Sequence, residues 1–101
     1  MDYQPIIKNE EIDQLYTAVL NLHNLEECYR FFEDLCTIQE VQSMAQRLEV
    51  ARLLQSGVTY QEIVRRTGAS TSTISRINRC LLYGAKGYIT QLSRLKEIEK
   101  E

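Results

Sequence analysis

The chain has 101 residues, a length that allows one domain with a modest hydrophobic core. Hydrophobic residues make up 44% of it and charged residues 26%, which excludes an intrinsically disordered chain because enough apolar material is present to offset the entropy lost on folding. The net charge of −2, taken as an average over the chain, argues against a nucleic-acid-binding protein, since such proteins are usually basic.

Three helices are predicted in the first half of the chain from apolar residues that recur every three or four positions. They cover residues 8–22, 25–35 and 38–55, with Asn24 and Thr37 as the N-caps of the second and third. The apolar faces of the first two are formed by Ile12, Leu15, Tyr16, Val19 and Leu22, and by Leu25, Cys28, Tyr29, Phe32 and Leu35. The face of the third is formed by Val41, Met44, Ala45, Leu48, Ala51 and either Leu54 or Gln55.

Three further helices are predicted in the second half of the chain. A capping box formed by Thr59 and Glu62 begins a short helix, and Ser70 begins the next, which runs to about Tyr83. The last helix covers residues 88–98. No segment alternates apolar and polar residues for long enough to form a strand, so the predicted fold class is all-α.

The segment 60–79 has the pattern of a helix-turn-helix. Gly68 supplies the positive φ that the turn needs, and Ala69 is small enough for the two helices to cross closely. Ile74 and Ile77 are spaced to pack the second helix against the first. The other faces of the second helix carry short polar and basic side chains, namely Thr71, Ser72, Thr73, Ser75, Arg76 and Arg79. Such side chains can enter a major groove and reach base edges and phosphates.

The net charge is divided unevenly along the chain. Residues 1–40 contain nine acidic and two basic residues, a net charge of −7, whereas residues 41–101 contain ten basic and five acidic residues, a net charge of +5. The bases within or beside the helix-turn-helix are Arg47, Arg52, Arg65, Arg66, Arg76, Arg79 and Lys86. A local positive field attracts the phosphate backbone even when the whole chain is slightly negative. We therefore predict DNA contacts from Arg65 and Arg66 as well as from the second helix.

Other site chemistries have little to build on in this sequence. The three cysteines, Cys28, Cys36 and Cys80, form no C-x-x-C pair, and His23 is the only histidine, so neither a metal site nor a catalytic Cys-His pair is expected. Residues 1–7 lack the charged start and apolar run of a signal peptide, and no stretch approaches the roughly 18 apolar residues that cross a bilayer. We expect a cytoplasmic protein with reduced, buried cysteines that is not an enzyme, has no cofactor and has no membrane partner.

Residues 36–87 are similar to the central part of the Trp repressor. The residues that carry the resemblance are Cys-Thr-Ile-x-Glu at 36–40, Arg47, Leu53-Leu54, Gly68-Ala69 and Thr73-Ile74-Ser75-Arg76. Over nearly its full length, the chain resembles more closely the YerC/YecD group of Trp-repressor-like proteins.

The resemblance implies a six-helix, all-α fold and an intertwined homodimer in which the first helices of one chain wrap around the other. We accordingly expect a single domain, 1–101, with dimerisation helices at 8–55, a helix-turn-helix at 59–83 and a C-terminal helix at 88–98. Two copies would present their reading helices to successive major grooves about 34 Å apart. In the family, the residues at the start of the reading helix contact bases, and here these are Thr71, Ser72 and Thr73.

The tryptophan site of the family is a separate matter. That site stacks the indole between two arginines whose matching positions are Arg47 and Arg76, so an effector pocket in this chain would be formed by these two residues and Thr37. The Trp repressor has a glycine after the second arginine, where this chain has Ile77, and its polar position three residues further on is Cys80 here. Both changes tend to fill the pocket, so tryptophan is not expected to bind.

The sequence therefore predicts a transcriptional regulator, a repressor, that binds double-stranded DNA as a helix-turn-helix homodimer on a two-fold symmetric site. An alternative remains open at this stage. Helix-turn-helix domains can also dock on partner proteins, in which case the second helix would be an interaction face for another protein.

Overall fold

The computed structural model describes residues 2–99. It contains six α-helices, and residues 2–99 include no strand. The helices are α1 (Glu10–Leu20), α2 (Leu25–Leu35), α3 (Ile38–Gln55), α4 (Tyr60–Thr67), α5 (Thr71–Tyr83) and α6 (Gly87–Glu99). The predicted all-α class and the predicted bounds of α2 and α3 are confirmed, and α1 is shorter than predicted at both ends.

Polar side chains at the helix starts explain where these helices begin. Asn9, which the sequence analysis did not identify, caps α1 by accepting a hydrogen bond from the backbone N–H of Ile12 at 2.8 Å. Asn24 caps α2 as predicted, accepting from the N–H of Glu27 at 2.9 Å. The Glu27 carboxylate accepts from the N–H of His23 at 2.9 Å, one residue before the position that a capping box uses.

The chain divides into two compact units, one ending at Ile38 and the other beginning at Gln39. The second unit has a closed hydrophobic core, in which α4 packs on α5 and α5 packs on α6. The buried residues of this core are Val50, Ala51, Leu53, Ile63, Ala69, Ile74, Ile77 and Leu92. The predicted packing positions Ile74 and Ile77 of the helix-turn-helix are therefore confirmed, Ile63 is buried in the same core, and Val64 and Leu81 are partly buried against it.

The first unit contains α1 and α2, and neither helix has a buried residue. Its apolar side chains are either half-buried, as Ile12, Leu15, Leu22, Cys28 and Phe32 are, or exposed, as Leu20, Leu25 and Tyr29 are at 83%, 72% and 65% of their full accessible area. Phe31 and Phe32 make an edge-to-face ring contact with centroids 5.6 Å apart. The apolar stripes that the sequence predicts are present, but none of their residues is fully buried within residues 2–99.

The predicted apolar face of α3 is only partly correct. Val41, Met44 and Leu48 are all exposed, and the buried positions are Val50, Ala51 and Leu53. The reason is that the core of the second unit includes only the C-terminal part of α3. Periodicity alone does not show which part of an 18-residue helix its neighbours cover.

Candidate nucleic-acid interface

The turn between α4 and α5 has the geometry that the sequence predicts. Gly68 adopts a left-handed conformation, with φ of 74°, and its N–H donates to the carbonyl of Val64 at 2.9 Å, which ends α4. Ala69 is only 3% exposed, so a larger side chain at this position would enter the core. Residues with side chains rarely adopt the conformation of Gly68, which explains why glycine suits this position.

Three hydrogen bonds that involve side chains hold this turn in place. Gln46 of α3 donates from its amide nitrogen to the carbonyl of Thr67 at 3.0 Å, which satisfies a carbonyl group at the end of α4. The hydroxyl of Thr67 donates to the carbonyl of Ile63 at 2.7 Å and accepts from the N–H of Ala69 at 3.2 Å. Sequence analysis missed Gln46, because nothing in the local pattern distinguishes this glutamine from the others on α3.

Helix α5 presents a polar face to solvent while its apolar face closes the core. Ile74 and Ile77 are 0% and 2% exposed and fix the rotation of the helix about its axis. Five of the predicted DNA-contacting residues on α5 are exposed, namely Thr71, Ser72, Ser75, Arg76 and Arg79. The helix also has no acidic residue in its first turn, so the positive end of its dipole is not neutralised there.

Thr73, the sixth predicted contact on α5, has a different position. It is half-buried, and its hydroxyl oxygen accepts a hydrogen bond from the hydroxyl of Ser70 at 3.0 Å. Ser70 is the N-cap of α5 and also accepts from the backbone N–H of Thr73 at 3.1 Å. The Thr73 side chain is thus part of the helix cap, whereas Thr71 and Ser72 project freely at the start of the helix.

The four arginines of the helix-turn-helix fall into two groups. Within residues 2–99, Arg76 and Arg79 of α5 form no ion pair. Arg65 and Arg66, in the last turn of α4, are exposed as well, but both are paired with the Glu62 carboxylate. Donors that are already paired must exchange one anionic partner for another before they can bind phosphate.

Glu62 has a role that differs from the one predicted for it. Its N–H donates to the Thr59 hydroxyl at 3.3 Å, as expected of a capping box. Its carboxylate accepts from Arg65, with Nε–Oε2 at 2.9 Å, and from Arg66, with Nε–Oε1 at 3.0 Å. Hydrogen bonds from Arg65 and then Arg66 lower the pKa of the Glu62 carboxyl from 4.5 to about 2. The spacing of three and four residues between these groups would have been sufficient to predict the pairs.

The positions expected to form an effector pocket are distributed over both units. Arg47 is half-buried on α3 and Arg76 is exposed on α5, both in the second unit, whereas Thr37 belongs to the first. Ile77, at the position where the Trp repressor has glycine, is a core residue that is 2% exposed. Its side chain thus occupies volume in the core beside Arg76.

The expectation of buried cysteines is wrong for the chain as the structure describes it. Cys28 and Cys36 are half-buried and Cys80 is exposed, since Cys28 lies on α2, a helix with no buried residue, Cys36 is the C-cap of that helix, and Cys80 lies on the exposed side of α5. From position 2 to position 99, no three His, Cys, Asp or Glu side chains group as metal ligands. Over the same part of the chain, no helix is both long and apolar enough to span a membrane.

Comparisons with known proteins agree with this architecture. Residues 10–96 match the Trp repressor protein family. YerC of Bacillus subtilis strain 168 is 59% identical over 95 residues, which are 94% of this chain and 91% of that protein.

Two crystal structures also resemble this chain, and the match covers 88% of it in each case. A candidate Trp repressor from Staphylococcus aureus is 47% identical, with a TM-score of 0.84 over 89% of that chain. A TrpR-like protein from Eubacterium eligens ATCC 27750 is 50% identical, with a TM-score of 0.85 over 92% of that chain. The expected six-helix Trp-repressor-like fold is confirmed.

Proposed function

Because the chain belongs to the Trp repressor family, within its YerC group, we propose that it is a DNA-binding transcriptional regulator, a repressor that acts as a homodimer on a two-fold symmetric site. One observation carries the proposal. Helix α5 buries Ile74 and Ile77 while it exposes Arg76 and Arg79, which no carboxylate within residues 2–99 neutralises.

The exposed face of α5 suits a helix that lies in a major groove. Its two arginines are three residues apart and therefore adjacent on the helix surface, where they can contact neighbouring phosphates or the acceptor atoms of guanine. Thr71 and Ser72 project at the N-terminal end, which is the part of a reading helix that contacts base edges. Contacts to phosphates would position the protein, and contacts to bases would supply sequence specificity.

The incompletely buried apolar faces of the first unit support a homodimer. Two 11-residue helices without a buried side chain are too short to be stable alone, so their apolar faces need cover from elsewhere. A second copy of the chain is the occupant we propose, since the family resemblance implies helices that wrap around a partner. Dimerisation would also supply the second reading helix that a symmetric DNA site requires.

We further propose that this regulator acts without tryptophan as a co-repressor. Ile77 carries a branched side chain where the Trp repressor has a glycine, and that side chain is packed in the core. An indole at this position would have to displace part of the core. Addition of tryptophan should therefore leave DNA affinity unchanged within twofold, and a tenfold or larger gain would contradict this part of the proposal.

The function is tested by replacing Arg76 and Arg79 together with alanine. Fluorescence anisotropy with a labelled duplex should show a loss of affinity of about tenfold or more at 50 mM salt, because two phosphate contacts are lost. The salt dependence of binding should become less steep for the same reason. Light scattering should show an unchanged dimer mass.

The matched control replaces Arg30 and Arg94 with alanine, which also removes two positive charges but at positions outside the helix-turn-helix. An equal loss in the control would mean that only net charge matters. Unchanged binding by the α5 variant would remove α5 from the interface and favour a protein partner for this face.

A further inference from the structure

Glu62 is an acidic residue on α4 of the helix-turn-helix, a surface proposed to bind the negatively charged DNA backbone. It is the only acidic residue between Arg52 and Lys96, a stretch that includes α4, the turn, α5 and the start of α6. Its carboxylate holds both arginines at the end of α4, and the Arg65 and Arg66 side chains are otherwise 71% and 48% exposed.

The geometry of this group resembles a guanidinium–phosphate contact. Arg65 binds the carboxylate through Nε and Nη2, one to each oxygen, and Arg66 adds a third hydrogen bond at 3.0 Å. A phosphate group presents a similar pair of anionic oxygens to an arginine fork. Glu62 therefore occupies the same donors that a DNA phosphate would need.

We propose that Glu62 is an internal competitor of the DNA phosphates, which keeps Arg65 and Arg66 from strengthening non-specific binding. The inference rests on the proposed function, because it concerns the affinity for DNA of the same helix-turn-helix. Arg76 and Arg79 have no such competitor within residues 2–99 and provide the attraction that remains.

The physical consequence concerns specificity. Phosphate contacts are independent of sequence, so each additional one strengthens binding to every duplex and reduces the advantage of the correct site. The Glu62 side chain is 33% exposed and those of Arg65 and Arg66 are 71% and 48% exposed, so solvent screens these ion pairs and they contribute little to folding stability. The Glu62 carboxylate thus limits the affinity for non-specific DNA, although the fold does not depend on its ion pairs.

The test compares the wild-type protein with Glu62→Gln on a random-sequence duplex between 50 and 300 mM salt. We expect Glu62→Gln to bind about three- to tenfold more tightly at 50 mM salt, with a steeper salt dependence by about one to two released counterions. Binding to a preferred site should gain less, so the ratio of specific to non-specific affinity should fall.

Two controls separate this effect from others. Glu26→Gln removes a carboxylate that pairs with Arg30 in the first unit, at an oxygen–nitrogen distance of 3.1 Å, and should change non-specific affinity by less than twofold. In a variant in which Arg65 and Arg66 are already alanine, Glu62→Gln should give no larger gain than Glu26→Gln does. Thermal unfolding of each variant verifies that it is folded.

The outcomes distinguish the inference from the function on which it rests. If the wild type binds duplex DNA but Glu62→Gln binds no more tightly than Glu26→Gln, the inference is wrong and the proposed function stands. Weaker binding by Glu62→Gln would show instead that the carboxylate orients the arginines towards DNA, which also overturns the inference. If no variant binds duplex DNA, the proposed function fails and the inference fails with it.

Discussion

The two units of this chain differ in how their apolar residues are covered. The unit from Gln39 onward closes its own core, with eight buried residues drawn from α3, α4, the turn, α5 and α6. The unit up to Ile38 has helices with strong apolar stripes and no buried residue in either of them. Apolar spacing along a helix therefore does not decide burial, since one unit supplies its own packing partners and the helices of the other contain no fully buried residue.

The charge of the chain follows a similar division. The acidic residues lie mostly in the first 40 residues and the basic residues mostly after them. A net charge of −2 is therefore compatible with a basic reading surface, because the protein's local field matters for DNA and not its average. The proposed function assigns the contact with a second chain to the acidic unit and the contact with nucleic acid to the basic one.

The largest effect is expected in the closed core. Replacing Ile74, which is fully buried, with alanine should lower the free energy of unfolding by about 2–5 kcal/mol through lost transfer energy and a residual cavity. Chemical denaturation followed by circular dichroism measures this change. A loss of less than about 1 kcal/mol would mean that the core of the second unit is not as closed as its burial indicates.

A smaller effect is expected where α5 ends. A Cβ atom at Gly84 would lie 3.0 Å from the Cα of Cys80 and closer still to its carbonyl oxygen, and neither backbone atom can move freely. Gly84→Ala should therefore cost about 1–3 kcal/mol of stability. Gly87→Ala is the control, because a Cβ there meets nothing within 4 Å and the φ of Gly87 is not positive. Equal stabilities of the two variants would contradict the described end of α5.

The first unit should respond differently, through association. Tyr29 is 65% exposed, so its replacement by alanine should remove no intrachain core contact. If a second copy covers it, the dimer dissociation constant should rise about tenfold, as for an aromatic interface residue. Sedimentation over a range of protein concentrations measures the dissociation constant. An unchanged value together with a stable dimer would place the interface elsewhere.

The smallest effect concerns acid stability at the end of α4. The pKa of the Glu62 carboxyl is lowered from 4.5 to about 2 by hydrogen bonds from Arg65 and Arg66. The ion pairs therefore stabilise the folded state above about pH 4.5 and lose their effect as the pH falls towards 2. The difference in Tm between the wild type and Glu62→Gln should shrink over this interval. A difference that grows with acidity would contradict the pairing.

Much of the fold could be predicted from local signals in the sequence. The bounds of α2 and α3, the positive φ of Gly68 and the burial of Ile74 and Ile77 all follow from capping residues, glycine placement and apolar spacing. These features depend on a few neighbouring residues.

The features that the sequence did not predict depend on tertiary placement. The burial of only the C-terminal part of α3 and the hydrogen bond from Gln46 to Thr67 depend on how the helices pack against one another. The cysteines are more exposed than predicted for the same reason, because their burial depends on which helices pack together within one chain. The Asn9 cap of α1 and the pairs of Glu62 were accessible to sequence reasoning and were missed, the latter since the capping-box pattern offered a competing assignment for the carboxylate.

We propose that two copies of this chain read DNA with the exposed face of α5. Selection of bound duplexes from a random pool by the purified protein tests this proposal most directly. We expect a two-fold symmetric consensus whose half-sites lie about one helical turn, roughly 34 Å, apart. Failure to enrich any sequence above the starting pool, under salt conditions in which the protein is folded, would contradict it.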